Sequence, residues 1–430
     1  MKLLLPLITA SLILLSILGT LLISNVLGIF AQSQPPSTAR EIPGSLFDKS
    51  LGTPTVGDPK LKVEVVAENL DFPTTMAFLG PDDIIVLEKE KGTVTRITNG
   101  EILSEPLLKV KTASQVERGL LGVAVSKNES SKTNVFLYYT EIDNSTNGGN
   151  SVVSNRLYRY NLENNSLVSP KLLLDLPATP GPRHNGGAIE MDSAGNLYVP
   201  IGDVDGHTTQ TQNIDIGGPP DGTGGILRIS QDGQPIQSII GDTGPARKYY
   251  GYGIRNSYGL DFDPLSGKLW DSENGAGSAD EINLVEPGFN SGWSKIQGKA
   301  PVDFDFSQLV YFDGRGKYRD PEFTWIDTVG PTKLKFLNTD KLGKKYENDL
   351  LVSDVHHGRI YDFKLNSTRT GLVLSGVVAD KVADTDAETR ELIFASDFGG
   401  VSDMEIGPDG YLYILSFARG IIYRIVPAAG

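Results

Sequence analysis

GGAIEMDSAGNLYVPIGD, Gly186 to Asp203, reads as a strand, a turn and a second strand. Apolar and polar residues alternate through AIEM and apolar ones dominate LYVPI, as strands packed on a neighbour require. Between them DSAGN supplies the Asp, Gly and Asn that cap a hairpin turn and tolerate positive φ. The same unit returns as TMAFLGPDDIIVLEKEKGTVTRIT from Thr75 and as GLLGVAVS near Leu121, running through VFLYYTE to RLYRYNL. It returns again as YGLDFDPLSGKLWDSENG from Tyr258, TKLKFL from Thr332 with NDLLVSDVHHGRIYDFKL, and DMEIGPDGYLYILSFARGIIYRI from Asp403. Such a meander cannot bury both faces alone, so neighbours must stack, and radial stacking that closes on itself is a β-propeller. The expected fold is all-β, a six-bladed β-propeller of four-stranded antiparallel blades over residues 61–430. The lone strand LKVEVVA at Leu61 is expected to complete the last blade. Units of uneven length imply large insertions, which in propellers gather on one face and build the site.

Composition agrees. Among 430 residues there are 48 Gly and 25 Pro, the punctuation of many short strands, and the 39% hydrophobic share suffices for a core in so long a chain. A formal charge of −14 argues against a nucleic-acid partner, because phosphates are neutralised by a basic face. With no Cys, disulfides, thiolate catalysis and zinc-thiolate sites are excluded together.

After Met1-Lys2, an apolar run reaching Phe30 is about as long as a membrane span. Residues 1–31 are read as a signal peptide or a membrane anchor, and an N-terminal apolar helix is expected to precede the propeller. Residues 32–60, rich in Pro, Ser, Gly and Thr, are read as a flexible linker. Export is the expectation, and sequons at Asn128, Asn144, Asn164 and Asn366 are compatible with it.

Turns entering the innermost strands of a propeller project into the top of its channel. PRHNGG places His184 there, where an imidazole can accept a proton, with Asp203 as an orienting carboxylate. The alternative is a His that caps a loop and an Asp that starts a turn. In YGYGIRNSYGLDFD, Arg255 and Asn256 enter the next inner strand where His184 and Asn185 enter theirs, so both pairs are expected to face one channel. A fixed guanidinium there could bind a carboxylate or a developing oxyanion, or it could tie two blades together through backbone carbonyls. DSENGAGSADEINLVEPGFNSGW, Asp271 to Trp293, mixes small residues and carboxylates, which suits either a hard cation held by oxygen ligands or a solvated acidic turn.

RHNGG followed by LYVPIGD, then GIRNSYGLDFDPLSGKLWDSENG, then ADEINLVEPGFNSGW, resembles the soluble sugar dehydrogenases that use pyrroloquinoline quinone (PQQ), the glucose/sorbosone dehydrogenase family of six-bladed propellers. The likeness covers most of Leu61 to Ile425. It implies that His184 is the general base, that Asp203 orients it, and that Asn185, Arg255 and Asn256 lie against the quinone. It further implies that the carbonyls of Gly275 and Ala276 hold a calcium ion that polarises the cofactor, and that Glu281 serves a second calcium. The family's Arg-x-Arg-Asp before the last inner strand is replaced by GGVSD, with Gly400 and Ser402 at the Arg positions. Its fifth-unit Lys is also missing, and His356, His357 and Arg359 stand near that place, the last two as substitute cofactor contacts.

The leading expectation is an exported, calcium-dependent quinoprotein that oxidises a sugar or polyol and passes electrons to an external acceptor, with the membrane touched only by the N-terminal segment. A propeller that has lost the cofactor and binds a glycan or a protein at the cell surface is the alternative. A metal-dependent lactonase would want several convergent acidic side chains on a channel metal.

Overall fold

The computed structural model describes residues 52–127, 132–143 and 152–428. The expected N-terminal helix, Asn128 and Asn144 lie outside them. Among the described residues no helix is long and apolar enough to cross a membrane.

The strands assort into six sheets, taken here in the order of their hub strands along the chain. Antiparallel pairing of consecutive strands dominates, and apolar side chains from facing sheets interlock between them. Ile85 and Leu87 of the first sheet meet Val135 and Leu137 of the second, whose Phe136 and Leu157 meet Leu197 and Leu227 of the third. Tyr198 and Ile226 of the third meet Leu260 and Leu269 of the fourth, and Trp270 and Phe323 meet Leu334 and Tyr361 of the fifth. Ile360 packs with Met404 and Ile414 of the sixth, and Leu415 and Ile422 return to Ile84 and Val86 of the first. The fold is therefore an all-β propeller, in which no sheet buries its faces without both neighbours.

Uniform four-stranded blades are not what forms. Five sheets place a strand of six to eight residues at the hub: Pro73–Gly80, Leu120–Lys127, Ser257–Phe262, Pro331–Phe336 and Val401–Ile406. The third sheet offers only the two residues Glu190–Met191. Its chain is diverted by Gly186 at φ 74° and Gly187 at φ 141°. A Cβ on Gly186 would collide with the Pro200 carbonyl and one on Gly187 with Leu121, so this close approach is open to glycine alone. Sheet sizes run from four to six strands because insertions add short edge pairs.

Leu61–Ala67 pairs with Ile421–Pro427, with Val63 opposite Ile425, and so forms the outer strand of the sixth sheet. The end of the expected linker is also fixed: Thr55 and Val56 pair with Ser396 and Ala395.

Candidate active site

His184 sits at the hub end of the third sheet, 5% exposed, in the left-handed region at φ 58°. A non-glycine residue held there carries strain of order 1 kcal/mol, which persists only where its surroundings impose it. Here its backbone N–H donates to Glu117 Oε2 at 2.6 Å, and its carbonyl accepts from Gly202 N at 3.2 Å. The ring Nδ1 lies 2.5 Å from Asp203 Oδ1. That bond leaves Nε2 as the nitrogen available to a substrate.

Asp203 is 3% exposed. Its second oxygen accepts the Trp293 indole N–H at 2.9 Å, and its first also accepts Asp205 N at 3.1 Å. Burial pushes this carboxyl up, but the His184 bond and charge, the nearby Arg255 and the Trp293 donor outweigh it and hold it below the ordinary Asp range. It is a carboxylate built to stay ionised beside an imidazole.

Arg255 enters the fourth hub strand. Its carbonyl accepts from Asp203 N at 2.9 Å, which ties the base's loop to the cation's loop. A Cβ on Gly202, between them, would strike both the Arg255 carbonyl and His184 Cβ. The guanidinium donates through Nη1 to the carbonyls of Asn274 at 2.8 Å and Gly275 at 2.7 Å, and lies 5.4 Å from the Trp293 ring centroid. Among the described residues no carboxylate forms an ion pair with it. Desolvation lowers its pKa, opposed by the charges of Asp203, Glu117 and Glu273, so it is a half-buried cation with charge to offer an anion. Asn256, 7% exposed, donates to Glu117 Oε2 at 3.4 Å.

His184, Asp203, Arg255 and Asn256 are thus brought together. Asn185 is not: its side chain turns into the second sheet, where Oδ1 accepts Asn155 Nδ2 at 2.9 Å. The left-handed turn at His184 sends consecutive side chains to different sides, which an alignment of His-Asn with Arg-Asn does not foresee. Arg359, expected as a substitute cofactor contact, has its guanidinium paired with Asp386. His357 leans on Asp354, with Nδ1 3.4 Å from Oδ2, and that carboxylate raises its pKa. His356 is exposed, with Nδ1 3.2 Å from the Thr328 carbonyl.

Of the expected metal contacts, the Gly275 carbonyl spends one lone pair on Arg255, and Ala276 is exposed in the following turn. Glu281 is buried and accepts Gly298 N at 2.6 Å, Asn283 Nδ2 at 3.1 Å and Ser291 Oγ at 3.2 Å. It stands directly opposite Glu273, and Asp271 opposite Asn283, across one antiparallel pair. Burial raises all three acids, Glu273 to about 7 and the others well above their ordinary values, and the nearby Glu273 charge adds to the rise at Asp271 and Glu281. Among the described residues no three His, Asp or Glu side chains form a metal-ligand cluster by themselves.

Glu117 and Trp293 are site residues that the sequence reading passed over. Glu117 was findable: in VERGLLG it precedes the second hub strand as His184 precedes the third. Trp293 gives no local signal, because its partner lies 90 residues away.

Six interlocked sheets with an imidazole, a carboxylate and a guanidinium at one hub define a propeller of enzymatic type. The chain belongs to the Glucose / Sorbosone dehydrogenase family, which it matches over residues 70–424. It is 25% identical to the aldose sugar dehydrogenase YliI of Escherichia coli over 386 residues, 85% of this chain and 93% of that protein. It is 30% identical to quinoprotein glucose dehydrogenase B of Acinetobacter calcoaceticus over 439 residues, 84% of this chain and 86% of that one. The structure of the PQQ-bound form of an aldose sugar dehydrogenase from Streptomyces coelicolor shares the fold with a TM-score of 0.61, at 24% identity, over 87% of this chain and 99% of that one.

Proposed function

We propose that this protein is an exported, calcium-dependent quinoprotein that oxidises a hydroxyl of a sugar or polyol, with His184 as general base. The His184–Asp203 bond of 2.5 Å carries the reading. A neutral imidazole with Nδ1–H on an ionised Asp203 presents Nε2 to the substrate's O–H, and Asp203 stabilises the imidazolium that forms. The alcohol's proton ends on Nε2. PQQ, when bound, supplies the acceptor for the hydride leaving the carbinol carbon.

The residues fit such a group at one edge. Arg255 is a half-buried guanidinium bonded, among the described residues, only to carbonyls, which suits a carboxylate or a developing oxyanion, and Asn256 stands beside it. Calcium fits the fourth sheet: both Asp271 oxygens are buried without a well-formed hydrogen bond, and their polar neighbours Ser257 and Asn283 are oxygen donors. Carboxylate, hydroxyl and amide oxygens are the ligands a hard cation such as calcium takes. With only two residues at the third hub position the wheel has five full blades rather than the expected six, and residues 1–31 are the export segment.

Protein lacking residues 1–31, supplied with calcium and PQQ, is expected to reduce a dye with aldoses. Absence of turnover together with absence of quinone binding overturns the reading. It would favour the glycan- or protein-binding alternative, for which Gly400 and Ser402 at the expected Arg positions and the committed Arg359 speak.

A further inference from the structure

Three tryptophans are present, all in the described residues. Trp270 and Trp325 are buried packing residues whose indole N–H finds no partner. Trp293 alone donates, to Asp203 Oδ2 at 2.9 Å, while its ring face lies 5.4 Å from the Arg255 guanidinium. Its backbone is pinned on both sides, N–H to the Gly253 carbonyl at 3.0 Å and carbonyl to Asn213 Nδ2 at 2.7 Å. One side chain therefore touches both the carboxylate that serves the base and the cation across the hub.

We propose that Trp293 is a positioning residue of the dehydrogenase site: its N–H sets how strongly Asp203 pulls on the His184 proton, and its ring fixes Arg255 in register with that pair. The inference rests on His184 being the base. Asp203 Oδ1 is already shared between His184 Nδ1 and Asp205 N, and among the described residues the indole is the only side chain bonded to Oδ2. Without it a buried carboxylate oxygen is left unpaired. The remaining negative charge then holds the imidazolium more tightly, and the base is freed only at higher pH. Among the described residues the other charges around the pair include Glu117, bonded to the His184 backbone, Arg255, the Arg183–Asp205 pair at 3.5 Å, and Glu273, whose proton the Asp203 charge helps to hold.

Trp293→Phe keeps a ring under Arg255 and removes the donor. The acidic limb of its kcat/KM profile is expected to move up by about one pH unit, so that the rate is about tenfold lower below the limb and returns toward wild type above it. A pH-independent loss, or no change, overturns the proposal. Should the variant fail to fold, wild-type protein without cofactor decides. In its NMR spectrum the Trp293 indole N–H is expected to shift with the same midpoint as the His184 ring, while the Trp270 and Trp325 signals stay still. An indole signal indifferent to the ring's titration overturns the inference. If wild type lacks dehydrogenase activity the functional reading fails, and the NMR arm still judges the coupling.

Discussion

The mouth and the floor of the same central channel solve the burial of charge in opposite ways. On the floor, Lys333 and Lys335 of the fifth hub strand meet acids from three other hub strands. Lys333 Nζ lies 3.1 Å from Glu405 and 3.3 Å from Glu190, and Lys335 Nζ lies 2.9 Å from Glu405 and 3.5 Å from Asp261. Asp403 adds a further carboxylate, anchored by Met76 N at 2.8 Å and raised to about 7 by burial that Lys333 only partly offsets. At the mouth, Arg255 faces carbonyls and His184 faces one carboxylate, leaving guanidinium charge and Nε2 uncommitted. Charges that satisfy one another hold blades together; charges left incompletely matched are available for chemistry.

This contrast can be broken at the mouth first. His184→Ala should lower kcat/KM by about a thousandfold, with a loss of stability smaller than that of the floor variant below because Asp203 keeps the Trp293 and Asp205 donors, as steady-state kinetics and calorimetry would record. Lys335→Ala should do the reverse, costing about 3–5 kcal/mol in urea unfolding because it strands buried acids, with kcat of the folded enzyme unchanged.

Two glutamates sharpen the contrast through pH. Glu405, half-buried, is held low by Lys333 and Lys335 against the desolvation that would raise it, so its folded form binds its proton less tightly than the unfolded chain and it adds stability above the unfolded value, lost as pH falls. Glu273, raised to about 7 by burial, keeps its proton when folded, so stability falls as pH rises from about 4.5 through about 7, by on the order of 3 kcal/mol. Glu273→Gln should flatten that slope in calcium-free protein and Glu405→Gln should not, as urea titrations across pH would read. The smallest effect is expected at the rim: Arg359→Ala removes only a partly exposed pair with Asp386, worth less than about 0.5 kcal/mol by urea unfolding.

Much of the wheel was legible because its signal is local. Period-two alternation and Asp-Gly turns mark strands, and a residue just before a hub strand must stand near the hub, which located His184 and Arg255. What stands across the hub is not local. The Lys333–Glu190 contact joins residues 143 apart in the chain, and the KLK alternation shows only that both lysines share a face. Asn185 was misplaced because one left-handed residue before it reverses the side on which its amide emerges, and the third hub strand was overestimated because the double glycine that enters it spends its length on a close approach.

Ring closure by Leu61–Ala67 has a temporal side. Arg424 Nη2 reaches Glu64 Oε2 at 3.0 Å across 360 residues of chain, so Leu61–Ala67 has no partner strand until the chain has been made as far as Ile421–Pro427. During synthesis this early strand waits, edge unpaired, for its late partner. Pairing of so long a loop is slow, and the cell must keep that early edge from finding another partner first.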